Sequence, residues 1–467
     1  MIRAKFFTRT ALGLALAVGI AAGSATPVLA KDKPAKDQKT KEVKLAPSKA
    51  FIPVYVAAKN AIEAAGKRPE VIAARQAAAN AQTVLKNAQG KKAQADARAR
   101  YDAAAATVGP LLMAEKAAVE QTVTVAVNAD DKFLAGQLLL SVGTMAIDQT
   151  MQRRGVQLQL DSGRIGAADK PKYLMVLGNL AMDAKDYASA RAAFQAASDA
   201  GAVPSEALIN LADAYIRDGQ AAAGLKVLQS AVVKTGSSAP EGWMRYGIAT
   251  SYRAKLPTEA AMFSSELVSM YPTKENWSLA IAVVRDLHGY QGLDQLDLLR
   301  LMQRTNSFSE ERDYVEYVQA ATKRGMPGEA LKIINAGVTS GMLKPNDQFV
   351  IDAKKEATTR IGADRASLAA QERDARGPKG TAVSITAAAD TMLSYDMSDK
   401  AEELYRLALA KPGVDSMRVN LRLGIAQTDQ GKYAEALASF AKVTDGRAPI
   451  AQLWSGYAGA KSKAIVK

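Results

Sequence analysis

The stretch PKYLMVLGNLAMDAKDYASARAAFQAASDAGAVP, residues 171–204, decides how this chain folds. Leu174, Leu177 and Ala181 fall at i, i+3 and i+7, one face of a helix, with the small Gly178 beside Leu177. A polar turn follows at residues 183–186. Tyr187, Ala190, Phe194 and Ala197 then make a second apolar stripe at helical spacing. Helices of this length are not stable singly in water. Laid antiparallel, they meet where Gly178 and Ala190 permit a close approach, and Phe194 fills the space beside them.

The pattern recurs in step. Leu208, Leu211, Ala212 and Tyr215 lie 34 residues after Leu174, Leu177, Gly178 and Ala181. Gly219 makes the turn, and Gly224, Leu228 and Ala231 answer to Ala190, Phe194 and Ala197. A period near 34 with this placement resembles the tetratricopeptide repeat, whose signature is Trp-x2-Leu-Gly-x2-Tyr, then Ala-x3-Phe, then Pro. The resemblance implies an all-α fold: an α-solenoid of stacked antiparallel helical hairpins wound into a right-handed superhelix.

Downstream the copies continue. Trp243, Tyr246 and Gly247 open one, Ala260 and Phe263 continue it, and Pro272 closes it. Trp277, Ala280 and Ile281 open the next. Its second helix arrives late, at 293–302, which predicts an inserted loop near 286–292. Tyr314, Tyr317, Val318 and Ala321, with Ala330, Ile334 and Gly337 after a turn at Gly325, form another copy. Residues 347–376 have the length of one copy with poor landmarks. Ala389, Met392, Ala401, Tyr405 and Ala408 return to register, and Leu423, Gly424, Gly431, Tyr433, Ala436 and Phe440 repeat it well. Trp454, Tyr457 and Ala458 begin a last helix without a partner, so 451–467 reads as a cap on the final apolar face of an array spanning 171–467. The three Trp residues share one repeat position, which reads as core between neighbouring hairpins.

Upstream, residues 50–170 are rich in Ala, Lys, Arg and Gln, which favours helix. Pro69 suits a helix start, and Gly90 and Gly109-Pro110 mark breaks. Residues 116–127 and 133–142, joined through Asp130-Asp131-Lys132, read as a degenerate hairpin in which Gly136 and Leu140 take the places of Ala190 and Phe194. Residues 76–105 carry too few large apolar side chains to pack on both sides. They are either divergent repeats or an exposed helical pair that oligomerises as a coiled coil.

Residues 1–30 have the form of a cleaved secretory signal: Arg3, Lys5 and Arg9, an apolar stretch at 11–23, and Val28-Leu29-Ala30 before the cleavage point. This predicts a periplasmic protein. Removing those three cations takes the net charge from +14 to +11. Residues 31–49 hold much of that excess with almost nothing to bury, so they read as a disordered basic leader with an attraction to anionic envelope glycan or lipid surfaces. Nucleic acid is not the expected partner of an exported chain.

Little here points to catalysis. With no Cys there is neither a disulfide nor a thiolate metal site, and with His288 alone a His-Glu-x-x-His zinc motif is impossible. No Gly-rich phosphate loop follows a strand. The carboxylate pairs Glu310-Glu311 and Glu402-Glu403 read as solvated helix surface. The expectation is a non-enzyme that needs no cofactor and no metal.

The resemblance implies that the first helix of each hairpin lines a concave groove holding a partner's peptide or helix. The groove positions are Lys172, Met175 and Asn179 in the first clear copy, Ile209, Asn210, Asp213 and Arg217 in the second, and Met244 and Arg245 in the third. Asn179, Asn210 and Arg245 also match places in the carboxylate clamp of some relatives, whereas Met175 and Glu241 depart from its two lysines. Met175, Met182 and Met244 suggest an adaptable apolar groove, or simple core. The expected role is a scaffold or adaptor for a protein partner in cell-envelope assembly or maintenance, with a peptidoglycan- or polysaccharide-associated factor as the alternative.

Overall fold

A computed structural model of the protein describes residues 45–201 and 204–465. Among the described residues the regular structure is entirely helical. The chain divides into two compact units between Asp218 and Gly219, in the turn of the second clear repeat. The signal-like residues 1–30 and most of the basic leader lie outside the described residues.

The first unit comprises Phe51–Ala65 (α1), Pro69–Asn87 (α2), Lys91–Ala106 (α3), a 3-10 turn at Gly109–Leu112, Met113–Val125 (α4), Ala129–Met145 (α5), Gln149–Asp161 (α6), Lys170–Asp183 (α7), Tyr187–Asp199 (α8) and Pro204–Arg217 (α9). In the α7–α8 hairpin a Cβ placed on Gly178 would meet Phe194 Cε1 at 2.4 Å, and Phe194 and Ala190 are fully buried. The aromatic ring therefore occupies the room that the missing side chain leaves, as the spacing predicts. The same key closes two hairpins further on, Gly247 against Phe263 and Gly424 against Phe440.

The turns also share one construction. Lys185 adopts a left-handed φ of 60°, and Asp186 N–H then donates back to Ala181 O at 2.9 Å. Ile147 and Asp148 do the same onto Gly143 O at 2.7 Å. These back-bonds satisfy carbonyls that the ending helix leaves open. Asp148 and Asp186 then cap the following helices through Met151 N–H and Ser189 N–H.

Upstream the pairing differs from the sequence expectation. The hairpin is α5 with α6, so Gly136 and Leu140 sit on its first helix and not in second-helix places. Asp130-Asp131 is no turn: Asn128 caps α5 by accepting from Asp131 N–H at 2.9 Å, and the acids occupy its first turn, where the helix dipole favours them. Gly136, Gly143 and Gly155 bring the two backbones into contact, since a Cβ on Gly155 would lie 2.6 Å from Leu140 N. α2 and α3 form a helical pair in which α3 buries only Ala97.

The end of the leader is not free. Ala46 N–H donates to Asp130 Oδ2 at 3.0 Å, while Ser48 N–H and Oγ donate to the two oxygens of Asp131, each at 2.8 Å. Residues 45–48 are thus pinned to the start of α5. Burial alone would raise the Asp131 carboxyl, but the Ser48, Val127 and Asn128 hydrogen bonds hold it below the usual carboxylate range.

The second unit runs through Ala221–Thr235 (α10), Glu241–Ala254 (α11), Pro257–Met270 (α12), Lys274–His288 (α13), Gly292–Arg304 (α14), Glu311–Lys323 (α15), Pro327–Thr339 (α16), Gln348–Arg376 (α17), Ala382–Ser394 (α18), Ser398–Leu409 (α19), Ser416–Asp429 (α20), Tyr433–Phe440 (α21) and Ala448–Ile465 (α22). Three sequence expectations change here. There is no inserted loop at 286–292: α13 runs on to His288, and only Gly289, Tyr290 and Gln291 separate it from α14. Residues 348–376 make one helix of 29 residues and no hairpin. The last helix does not end the array against solvent. α22 packs on α12 as well as on α21, with Ser265 Oγ donating to Gln452 O at 3.3 Å and Trp277 edge-on to Tyr457 at 6.1 Å. The second unit therefore closes on itself. Trp277 and Trp454 are core, as expected of their position, and Trp243 is half-buried.

Candidate partner-binding site

The predicted groove residues divide between the two units. On α7, Lys172 and Asn179 are exposed, and Lys172 Nζ reaches Asp169 at 3.0 Å. Met175 is 8% exposed and Met182 3%, so they pack into the hairpin. On α9, Ile209, Asn210 and Asp213 are half-buried and Arg217 is exposed, its Nε donating to Asp213 Oδ2 at 2.8 Å. These residues give the first unit a polar, mixed-charge first-helix face.

Met244 and Arg245 lie on α11 in the second unit. Met244 is fully buried. With Met175 and Met182 it settles the alternative in favour of core: all three methionines are buried and offer no adaptable apolar groove. Arg245 is exposed but engaged. Its Nε donates to Glu241 Oε1 at 2.6 Å, its Nη2 donates to Asn276 Oδ1, and Asn276 Nδ2 donates back to Glu241 at 3.1 Å. The Arg245 hydrogen bond is the main reason the Glu241 carboxyl sits below its ordinary range. A clamp would need Arg245 for a ligand's carboxylate, and Glu241 already supplies one.

Farther along, the second unit's first helices join through polar rungs. Tyr252 OH donates to Asp286, and Arg285 Nη1 donates to Glu316 Oε2 at 2.9 Å. Residues 296–302 of α14 are all buried, including Asp297 and Arg300 at 0% and 1% exposure. A helix whose charged side is buried as well needs ionic partners there, and α14 has them. Arg300 forms a two-pronged pair with Glu329 of α16, 2.8 Å on each prong, and Tyr317 OH of α15 donates to the same carboxylate at 2.7 Å. Asp297 accepts from Arg300 at 3.0 Å and from Arg422 of α20 at 3.1 Å. Arg422 also donates to Asp390 of α18 at 2.7 Å, and Tyr405 OH of α19 donates to Asp390 at 2.6 Å. Trp454 Nε1 of α22 donates to Asp297 O at 3.0 Å. Arg304 grips Asp429 with both prongs at 2.5 Å.

Burial raises the Asp297 carboxyl in spite of Arg422 and Arg300. Burial would also raise Glu329, yet Arg300 pulls it below its ordinary range. Glu402, expected as solvated surface, is buried and accepts from Lys432, Arg406, Gln427 and Gln430. Its burial opposes ionisation, but these four donors hold its pKa down at about 2. Glu310 caps α15 in a reciprocal capping box with Asp313. Glu310 and Glu402 thus have structural partners, while Glu310 and Glu311 lie exposed on the helix surface as expected. His288 ends α13, its Nδ1 lies 2.9 Å from Val284 O, and its ring stacks on Tyr290.

Residues 293–302 read as a helix in the sequence, with Leu296, Leu298, Leu299, Leu301 and Met302 on a broad apolar arc, but the burial of its polar side, Asp297 and Arg300, was not legible there.

Residues 175–240 match the tetratricopeptide repeat family. No curated protein matches the chain. Among solved structures, a tetratricopeptide repeat protein from Parabacteroides merdae ATCC 43184 is 16% identical over 56% of this chain and 99% of its own, with a TM-score of 0.25. A monomeric mutant of IFIT1 with Gppp-AAAA is 12% identical over 76% of this chain and 69% of its own, with a TM-score of 0.21. Tetratricopeptide repeats generally bind proteins and are generally not catalytic.

Proposed function

We propose that this tetratricopeptide-repeat protein is a non-enzymatic scaffold whose first unit holds a protein partner along the faces of α7 and α9. The observation that carries the reading is the contrast between the units. Lys172, Asn179 and Arg217 stand exposed on first-helix faces of the first unit, whereas on α11 of the second unit Met244 is fully buried and Asn276 and Glu241 hold Arg245. The signal-like residues 1–30 support export, so the partner belongs to the cell envelope and the role is that of an adaptor in its assembly or maintenance. Photo-crosslinking in intact cells from Asn179 and Asn210 tests this. A discrete protein adduct is expected at those positions, with far less at Arg312, an exposed residue of α15. Equal labelling at all three positions, or adducts to wall glycan alone, refutes it.

A further inference from the structure

A second candidate surface lies outside the first-helix faces. The end of α16, the following Pro345 and the first half of α17 enclose a cleft of about 370 Å³. Its apolar lining is Val338, Pro345, Val350 and Ile351, and its polar lining includes Lys354 and Lys355. Val350 is buried, and Ile351 is 45% exposed.

The charges along α17 are sorted. Val350, Ile351, Lys354 and Lys355 fall on one side of the helix, one turn apart in two adjacent rows. The acids Asp352 and Glu356 form the next row round, and both are engaged, by Gln348 Nε2 at 2.9 Å and by Arg360 Nη1 at 3.3 Å. Arg365 lies over the Tyr395 ring, and Arg376 pairs with Glu372 and Glu403. Lys354 and Lys355, by contrast, have no anionic partner among the described residues. Thr358 and Thr359, farther along the cleft, donate their hydroxyl protons to Lys354 O and Lys355 O, so they add no free donor.

We propose that this cleft docks a short acidic–aliphatic peptide segment of a partner protein, with an aliphatic side chain on the Val350–Ile351 floor and carboxylates on Lys354 and Lys355. Two unpaired ammonium groups beside an apolar floor are complementary to alternating acidic and aliphatic side chains. Residues 350–359 extend about 13 Å along the helix, which about four extended residues span. The volume lies at the small end of ligand clefts, about 300–1,000 Å³, and suits a few side chains. The site is separate from the α7 and α9 faces and does not rest on the scaffold reading of them.

The test uses the full chain and a fluorescein-labelled, C-terminally blocked hexapeptide, Asp-Leu-Asp-Leu-Glu-Leu, followed by fluorescence anisotropy. Saturable binding is expected. The double substitution Lys354→Glu with Lys355→Glu is expected to weaken it tenfold or more, and Ile351→Asp to do the same without altering the far-UV circular dichroism. Lys91→Glu with Lys92→Glu on α3 carries the same charge change elsewhere and is expected to leave Kd within twofold. Absence of saturable binding overturns the proposal, as does equal weakening by the two charge swaps. Oleate binding that needs Lys354 and Lys355 while the peptide fails to bind overturns it in favour of a lipid.

Discussion

Replacing Gly424 by Ala tests the Gly–Phe key directly, because propensity and packing predict opposite signs. In an open helix the change stabilises by about 1 kcal/mol. Gly362 in α17 supplies that reference within the same unit, since a Cβ there meets nothing within 4 Å. At Gly424 the new Cβ would lie 2.4 Å from Phe440 Cε1 and 2.6 Å from Cδ1, where carbons in contact sit about 3.5–4.0 Å apart. Phe440 is 2% exposed and packs against Trp454 with ring centroids 6.4 Å apart, so the ring has nowhere to retreat. Overpacking of this kind costs about 1–3 kcal/mol. Set against the propensity gain, Gly424→Ala is expected to be neutral to about 2 kcal/mol destabilising, and thus about 1–3 kcal/mol below Gly362→Ala. Urea unfolding followed by tryptophan fluorescence reads the right part of the molecule, because Trp243, Trp277 and Trp454 all belong to the second unit. A shift in midpoint at constant slope reports stability. Phe440→Leu should cost less in the Gly424→Ala background than alone, with a coupling of about 1 kcal/mol or more. Gly424→Ala gaining as much as Gly362→Ala would refute the key, and with it the packing account of the repeat.

Glu266 on α12 has one carboxylate oxygen buried without a partner, and burial pushes its pKa up to about 7. Its folded pKa lies above the unfolded value of about 4.3, so the penalty is absent below that pH and grows as pH rises through about 7. Glu266→Gln should therefore raise the melting temperature at pH 8 and leave it unchanged at pH 4; an equal gain at both would count against it. Asp131→Asn should loosen residues 45–48, speeding tryptic cleavage after Lys49 several-fold, and unchanged cleavage would show that the Ser48 hydrogen bonds do not hold the segment. Since the Asp131 carboxyl is held low, the same loosening is expected in the unmodified chain as pH falls through its folded pKa. Arg422→Met leaves Asp390 and Asp297 short of a buried cation and should destabilise the second unit by about 3–5 kcal/mol, read by tryptophan fluorescence; a loss under 1 kcal/mol would mean the network is not dry.

The hairpins were legible wherever a small residue faces an aromatic one. Gly178 with Phe194, Gly247 with Phe263 and Gly424 with Phe440 are each 16 residues apart, and each is a contact in the structure. Legibility failed where a different local signal governs. Asp130-Asp131 looks polar enough for a turn, yet it belongs to a capped first turn whose carboxylates reach back more than 80 residues to Ala46 and Ser48. Residues 348–376 lack landmarks because one long helix needs none. The methionines at 175 and 244 illustrate a further limit: spacing places a residue on a helix, but burial depends on what the neighbouring helix presents. Asn179 and Arg217 are exposed on α7 and α9, while Arg245 is held by Glu241, four residues before it on the same helix, and by Asn276 on α13.

The position of α14 bears on where a partner can go. It is held by Glu329 of α16, Asp429 and Arg422 of α20 and Trp454 of α22. A partner helix entering that space must displace a segment already tethered there, at an effective concentration of about millimolar or more. Were α14 to bind no better than a partner of about 1 μM intrinsic affinity, the partner's apparent affinity would still fall by about a thousandfold. Displacement also strips Glu329 of Arg300 and Arg422 of Asp297, at about 3–5 kcal/mol for each broken buried pair. The space that α14 fills is thus closed to ordinary ligands by the chain itself. The proposed sites, the α7 and α9 faces of the first unit and the cleft along α17 of the second, lie on helices other than α14.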